Sequence, residues 1–197
     1  ANTVCNLGSI NLTQFIDVDS GEILYDELKK TVHIGVEFLD EIIDINPYYL
    51  DKAREHQMNF RKIGLGILGL ADFLILQNVE YGSPESYELM NKVMSFIQNE
   101  TFRKSALLAS EKGPAPIWQD YMLNSKYIQQ LDDDVRKLIE KFGLRNTRLL
   151  TVAPTGSTGI LAGVSSGIEP NFAFELFRED RLGGRKVIHW LPERKEE

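Results

Sequence analysis

The chain has 197 residues, of which 43% are hydrophobic and 26% are charged, and its net charge at pH 7 is -7. This much apolar material argues against global disorder and suffices for the core of one ordinary domain, so we expect residues 1–197 to form a single domain. The acidic balance, with basic residues scattered along the chain, argues against direct binding of nucleic acid through a basic patch.

The first half of the chain predicts a strand, a long helix, and a second strand that leads into a short helix. Residues 4–12 mix apolar and small polar residues in the manner of an extended segment. In residues 22–45, apolar side chains recur at three- and four-residue steps and so share one helical face. These side chains are Leu28, Val32, Val36, Leu39 and Ile43. Residues 60–69 are apolar and rich in glycine, which indicates a strand before the helical run 70–76.

The second half predicts two more helices and two more strands. A serine N-cap and a first-turn proline begin a long helix over residues 83–112, and a glycine caps a further helix over residues 132–142. Residues 148–153 form a compact apolar strand that a proline closes, and residues 171–178 alternate as a weaker strand. Strands separated by helices predict an α/β fold with largely parallel strands.

Three glycines spell the pattern of a dinucleotide-binding turn: Gly64, Gly66 and Gly69. That motif places a buried strand before its first glycine, but residues 55–62 are polar and basic. The acids found about 20 residues beyond flank a turn and a helix start. We therefore favour close packing of a strand against a helix, which glycine permits.

A cluster of glycine and hydroxyl residues follows the predicted strand 148–153. We refer to its first five residues as the 154–158 loop; they are Pro154, Thr155, Gly156, Ser157 and Thr158. Small residues after a parallel strand expose backbone amides to an anion, and a helix that begins near Thr158 would add its dipole. A side chain at Gly156 is expected to fill the phosphate's space and to conflict with the backbone angle. An ordinary turn explains the same residues, but a second glycine and serine cluster at 163–167 favours a site.

Other polar residues point to no second site. Considered alone, Cys5 is typical of a small buried hydrophobe. The histidines have no partners at ligand spacing, so the sequence predicts no metal site; they are His33, His56 and His189. Acids at helical steps in residues 37–44 predict a solvated outer face; they are Glu37, Asp40, Glu41 and Asp44.

The sequence favours the cytoplasm and no membrane. No apolar run reaches the roughly 20 residues that span a bilayer, and the first ten residues lack the features of a signal peptide. The only cysteine, Cys5, cannot form an internal disulfide, which fits a reducing compartment.

Three stretches resemble, in order, signature stretches of ribonucleotide reductase large subunits: residues 5–12, 61–72 and 153–170. The resemblance covers the chain from Cys5 to about residue 180. It implies the second half of a ten-stranded α/β barrel that is built from two antiparallel five-stranded halves. In this family a finger loop inside the barrel carries a thiyl radical.

The resemblance also implies roles for particular residues. Cys5 matches one of two cysteines that form a disulfide as the ribose 2′-hydroxyl leaves as water. The 154–158 loop matches the stretch that holds the phosphates of a ribonucleoside di- or triphosphate substrate. The family's radical cysteine with its Asn and Glu companions, its first redox cysteine, its effector site and its C-terminal cysteine pair have no counterpart here. We therefore expect the chain to be inactive alone, to need the remaining reductase segments, and to self-associate or to belong to a homodimer.

The sequence of residues 156–157 and 163–170 resembles the adenosylcobalamin-dependent class more than the di-iron class. This implies adenosylcobalamin as the cofactor. Two alternatives stay open. One is the large subunit of a di-iron-dependent reductase, which needs a radical-generating partner protein. The other is a remnant that binds nucleotides without catalysis.

Overall fold

Helices surround a small parallel sheet in the computed structural model, which describes residues 3–173, 175–180 and 183–188. The strands are β1 (Asn6–Asn11), β2 (Ile63–Leu68), β3 (Glu175–Asp180) and β4 (Gly183–Ile188). The α-helices are α1 (Tyr25–Ile45), α2 (Asp51–Phe60), α3 (Leu70–Leu76), α4 (Pro84–Lys112), α5 (Lys126–Gln129), α6 (Asp133–Phe142) and α7 (Gly156–Ala162). Short 3-10 helices span Leu12–Phe15 and Asp120–Asn124.

The central sheet is parallel, as the alternation of strands and helices predicts. β1 pairs with β2 so that Gly8 lies opposite Leu65. On the other side of β2, Leu65 donates its N–H to Leu149 O at 2.8 Å and accepts from Thr151 N at 3.1 Å. The predicted strand over 148–153 is therefore too long, because its pairing with β2 ends at Thr151 and yields only an isolated bridge. The predicted strand over 171–178 begins later, at β3, which pairs with β4 in an antiparallel hairpin.

Helix α1 covers one face of the sheet with the apolar stripe that the sequence predicts. All five side chains of that stripe are buried. Contact with the sheet is close: an added Cβ at Gly8 would lie 3.5 Å from Leu39, and Asn6 Nδ2 donates to Leu39 O at 3.3 Å. Helix α4 packs on α1 and on α6, so the core lies between the sheet and these helices.

Helix α2 is not predicted by the sequence pattern. Its residues are mostly polar, and only Ala53 and Gln57 are buried, so no apolar stripe marks it. The helix ends at Arg61, whose backbone is left-handed with φ 45° and ψ 52°. Gln57 then caps the turn, because its Nε2 donates to Lys62 O at 2.7 Å.

The prediction of a solvated acidic face on α1 is wrong for Asp40, which is fully buried. Arg61 Nε donates to Asp40 Oδ1 at 2.9 Å, and Asn146 Nδ2 donates to the same oxygen at 2.8 Å. Arg61 also forms two bonds to Asp44, at 2.8 and 2.9 Å. Burial opposes the charge of Arg61, but these hydrogen bonds outweigh it and raise its pKa. A buried ion pair therefore joins α1, the end of α2 and Asn146.

Candidate functional site

The 154–158 loop lies where the 148–151 segment leaves the sheet, at the carboxyl ends of the parallel strands. Helix α7 begins at Gly156, two residues before the predicted start at Thr158, and Thr155 is its N-cap residue. Within the described part of the chain, the backbone N–H groups of Gly156, Ser157 and Thr158 have no acceptor, and the first paired one is Gly159 N, which donates to Thr155 O at 2.6 Å. Three successive donors at the positive end of a helix suit an anion.

The three hydroxyls of the loop differ in their contacts. Thr155 is buried, and its Oγ1 accepts from Gly167 N at 2.6 Å. Thr158 Oγ1 donates to Thr155 O at 3.2 Å. Ser157 is exposed, and its hydroxyl has no hydrogen-bond partner among the described residues. Of the three hydroxyls, only that of Ser157 is available for a new hydrogen bond without the loss of one made to the described residues, whereas Thr155 and Thr158 organise the turn.

Gly156 does not need the backbone freedom of glycine, so the expected conflict with the backbone angle is wrong. Its φ lies outside the left-handed region, and an added Cβ would meet no heavy atom within 4 Å. The space in front of the residue is open. This leaves room for a ligand and would also accept a side chain.

The glycines at positions 64, 66 and 69 permit close packing, but the close neighbours of Gly64 and Gly66 are the adjacent strand segments and not the helix that the sequence predicts. Cβ atoms on Gly64 and Gly66 would lie 2.7 Å from Leu7 Cδ2 and from Thr151 O, respectively. Gly69 is left-handed with φ 76°, and its N–H donates to Ser165 O at 2.8 Å. Leu70 N donates to Gly167 O at 3.4 Å. Protein carbonyls therefore occupy amides that a dinucleotide pyrophosphate would need.

Asp72 is the residue of this region that sequence reasoning missed. It is fully buried in α3 and accepts hydrogen bonds from Ser165 N at 2.9 Å and from Asn171 Nδ2 at 2.6 Å. Its partners lie 93 and 99 positions further along the chain. The signal in the sequence is a lone carboxylate within the apolar run of α3, since a buried carboxylate must find donors.

Cys5 lies apart from the 154–158 loop. It directly precedes β1, at the amino ends of the parallel strands, whereas the loop lies at their carboxyl ends. The residue as a whole is exposed, but its thiol is partly covered, and this burial raises the pKa of Cys5 against the opposing charge of Lys62. Cys5 is therefore protonated at neutral pH, and it is not the buried core residue that its residue type alone suggests.

The histidines and acids form no metal centre in the part of the chain that the structure describes. His33 Nε2 lies 2.8 Å from Glu100 Oε2 at the contact of α1 and α4. His56 Nε2 lies 2.8 Å from Lys62 Nζ. The third histidine, His189, lies outside the described residues. No helix in the described ranges is long and apolar enough to cross a membrane.

Comparison with known proteins gives one consistent result. A family model described as the barrel domain of ribonucleotide reductase matches residues 1–193. The chain is 38% identical over 188 residues to a vitamin B12-dependent ribonucleoside-diphosphate reductase of Thermoplasma acidophilum, and the match covers 95% of this chain and 22% of that protein. A protein of the same name from Mycobacterium tuberculosis is 34% identical, with 95% and 24% covered.

The third relative has a different name. It is the ribonucleoside-diphosphate reductase subunit alpha of Chlamydia muridarum, 35% identical over 208 residues, with 94% of this chain and 20% of that protein covered. The chain thus spans between a fifth and a quarter of the length of these relatives.

Proposed function

Since this chain belongs to the family of ribonucleotide reductase barrel domains, we propose that it is part of an enzyme that reduces ribonucleotides to deoxyribonucleotides by thiyl-radical chemistry. The family match over residues 1–193 carries the proposal. Within that enzyme the chain forms one domain-sized part of the second half of a ten-stranded barrel, and the remaining segments supply the radical cysteine. A cytoplasmic location belongs to the same proposal and is supported by the single cysteine, which has no partner in the sequence.

The 154–158 loop binds the substrate's phosphates in this proposal. Three amides at the start of α7 and the hydroxyl of Ser157 have no partner within the described ranges, which supports this role. Neutral donors to a charged oxygen contribute roughly 1.5 to 3 kcal/mol each, so these groups suffice without a lysine or arginine in the loop. Thr155 and Thr158 support the loop through the bonds they make within it.

Cys5 is the chain's contribution to the reduction itself. Replacing the ribose 2′-hydroxyl by hydrogen consumes two electrons and two protons and releases water. Two thiols supply both when they are oxidised to one disulfide. Because Cys5 is the only cysteine of the sequence, the second thiol must come from another segment, with its Cα within about 7 Å. The raised pKa keeps Cys5 in the thiol form, which still carries its hydrogen.

Adenosylcobalamin is the proposed cofactor of the assembled enzyme, and two relatives with vitamin B12 dependence in their names support it. When bound, it would supply the initial radical. Lys62 and Arg148 line a cavity of about 640 Å³ in the described part of the chain, and nothing in its lining identifies a corrin site. We therefore assign its binding to other segments of the enzyme.

The test is reduction by the full-length enzyme that contains this chain. We expect deoxynucleotide formation from ribonucleoside diphosphates, with adenosylcobalamin, a dithiol reductant and no second protein. A requirement for a radical-generating second subunit would instead favour the di-iron alternative, supported by the relative named as a subunit alpha. Nucleotide binding without reduction under either condition would favour the non-catalytic alternative.

Cys5→Ser in the same enzyme tests the residue assignment. We expect the loss of multiple turnover with nearly unchanged nucleotide affinity, because the thiol reacts and does not hold the phosphates. The 197-residue chain alone should form no deoxynucleotide. Unchanged steady-state activity of the Cys5→Ser enzyme would contradict the assignment.

A further inference from the structure

We propose that Asp72 is a positioning residue for the 154–158 loop, although its side chain is fully buried and cannot touch the substrate. This inference rests on the proposed function. The carboxylate fixes residues 163–171, which we call the latch loop, and the latch loop fixes Thr155 at the start of α7.

The first step is the hold of Asp72 on the latch loop. A buried carboxylate is stable only if donors replace its water. Both of its oxygens have such donors on this loop: Ser165 N lies 2.9 Å from Oδ2, and Asn171 Nδ2 lies 2.6 Å from Oδ1. Because Ser165 and Asn171 lie near the two ends of the latch loop, one side chain fixes the whole segment relative to α3.

Backbone contacts define the same position. Gly69 N donates to Ser165 O at 2.8 Å, and Leu70 N donates to Gly167 O at 3.4 Å. From the other side, Tyr81 Oη donates to Ile168 O at 2.5 Å. The latch loop is thus hydrogen-bonded to the start of α3 and to the segment before α4.

The second step is the contact between the latch loop and the 154–158 loop. Gly167 N donates to Thr155 Oγ1 at 2.6 Å. The fit is close, since a Cβ on Gly159 of α7 would lie 3.1 Å from both Ser166 Oγ and Val164 O. A displacement of the latch loop therefore moves the first turn of α7 and the three amides that receive the phosphates.

The test is Asp72→Asn in the full-length enzyme. The amide can accept only one of the two hydrogen bonds and presents N–H groups to the other donor. We expect the KM for a ribonucleoside diphosphate to rise roughly tenfold, equivalent to about 1.4 kcal/mol, with kcat changed much less. The affinity for inorganic pyrophosphate, measured by calorimetry, should fall by a similar factor.

Exchange of the two partners provides the rescue. In the double variant Asp72→Asn, Asn171→Asp, the new amide donates to the new carboxylate and still accepts from Ser165 N. We expect KM and pyrophosphate affinity to return close to their wild-type values. Should Asp72→Asn fail to fold, Asn171→Ala removes the half-buried partner alone and should weaken pyrophosphate binding severalfold.

Ser105→Ala is the control for a purely structural effect. It removes a buried bond to Asn146, outside the latch loop, and should lower the melting temperature without changing KM. If Asp72→Asn or Asn171→Ala behaves in the same way, or if the exchange fails to restore KM, Asp72 does not position the loop. A wild-type enzyme that binds pyrophosphate but reduces no nucleotide would contradict the proposed function alone, since the pyrophosphate comparison would still test Asp72.

Discussion

The hydroxyl residues of the 154–158 loop differ in burial and in their hydrogen bonds. In the 154–158 loop, Thr155 is buried and its hydroxyl accepts a hydrogen bond from Gly167 N. Ser157 is exposed, and its hydroxyl has no hydrogen-bond partner among the described residues. The sequence predicts a candidate anion site in this loop, because its small residues and hydroxyls follow an apolar segment and lead into a helix. It does not predict which hydroxyl points inward, because that depends on Gly167, 12 positions away.

Gly156→Val tests the phosphate loop directly. The structure has open space at this position and no left-handed backbone, so the variant should fold normally. In the full-length enzyme we expect weaker nucleotide binding by at least roughly tenfold, or about 1.4 kcal/mol, because the isopropyl group takes the place of the phosphate. Calorimetry with a ribonucleoside diphosphate measures this change. Equal affinity would identify the loop as an ordinary turn.

Gly66→Ala should destabilise the chain by about 1 to 3 kcal/mol through overpacking. The added Cβ would lie 2.7 Å from the backbone oxygen of Thr151, which cannot move without disturbing its pairing with β2. Urea denaturation measures the change in the free energy of unfolding. Gly156→Ala is the matched control and should stay within about 0.5 kcal/mol of the wild type. Equal stability of the two variants would contradict the packing role of Gly66.

At the scale of elements, the sequence predicts those whose stability comes from an apolar face. The five-residue stripe of α1 is the clearest example, since every member is buried. Helix α2 has no such stripe, and Arg61 at its end makes tertiary contacts. The spacing of apolar residues therefore does not predict this helix. The composition of residues 148–153 predicts a full strand, but a strand also needs hydrogen-bonding partners along its length, which composition does not reveal.

The buried ion pair at the end of α2 gives a prediction at this scale. Asp40→Ala would remove the fully buried partner of Arg61 and leave the buried guanidinium with only the half-exposed Asp44, so we expect a loss of about 3 to 5 kcal/mol in the free energy of unfolding. Asp44→Ala is the matched control: the Asp44 side chain is 48% exposed, and its loss should cost about 1 kcal/mol or less. Urea denaturation of both variants provides the measurement. A similar loss in both would show that burial of Asp40 is not what matters.

At the scale of the whole molecule, both edges of the central sheet lack a partner strand among the described residues. Among the described residues, β1 pairs only with β2, and the 148–151 segment also pairs only with β2. Large apolar side chains near these edges and on α7 are exposed; they include Leu7, Val152, Ile160 and Leu161. Open strand edges and exposed apolar groups favour association with further chain segments. The chain spans about a fifth to a quarter of its relatives, which agrees with a proposal that other segments cover these surfaces.

The 197-residue chain should therefore self-associate when it is purified alone. The edge beside Val152, which is 62% exposed, has no partner strand in the described part of the chain and could pair with another copy. The neighbouring apolar side chains would be buried by the same contact. Light scattering coupled to gel filtration should give a mass above the 22.4 kDa of one chain. Val152→Lys places a charge at the edge, which opposes pairing of edges, and should shift the distribution toward the monomer. A wild-type chain that stays monomeric across a wide concentration range would show that these surfaces need no partner.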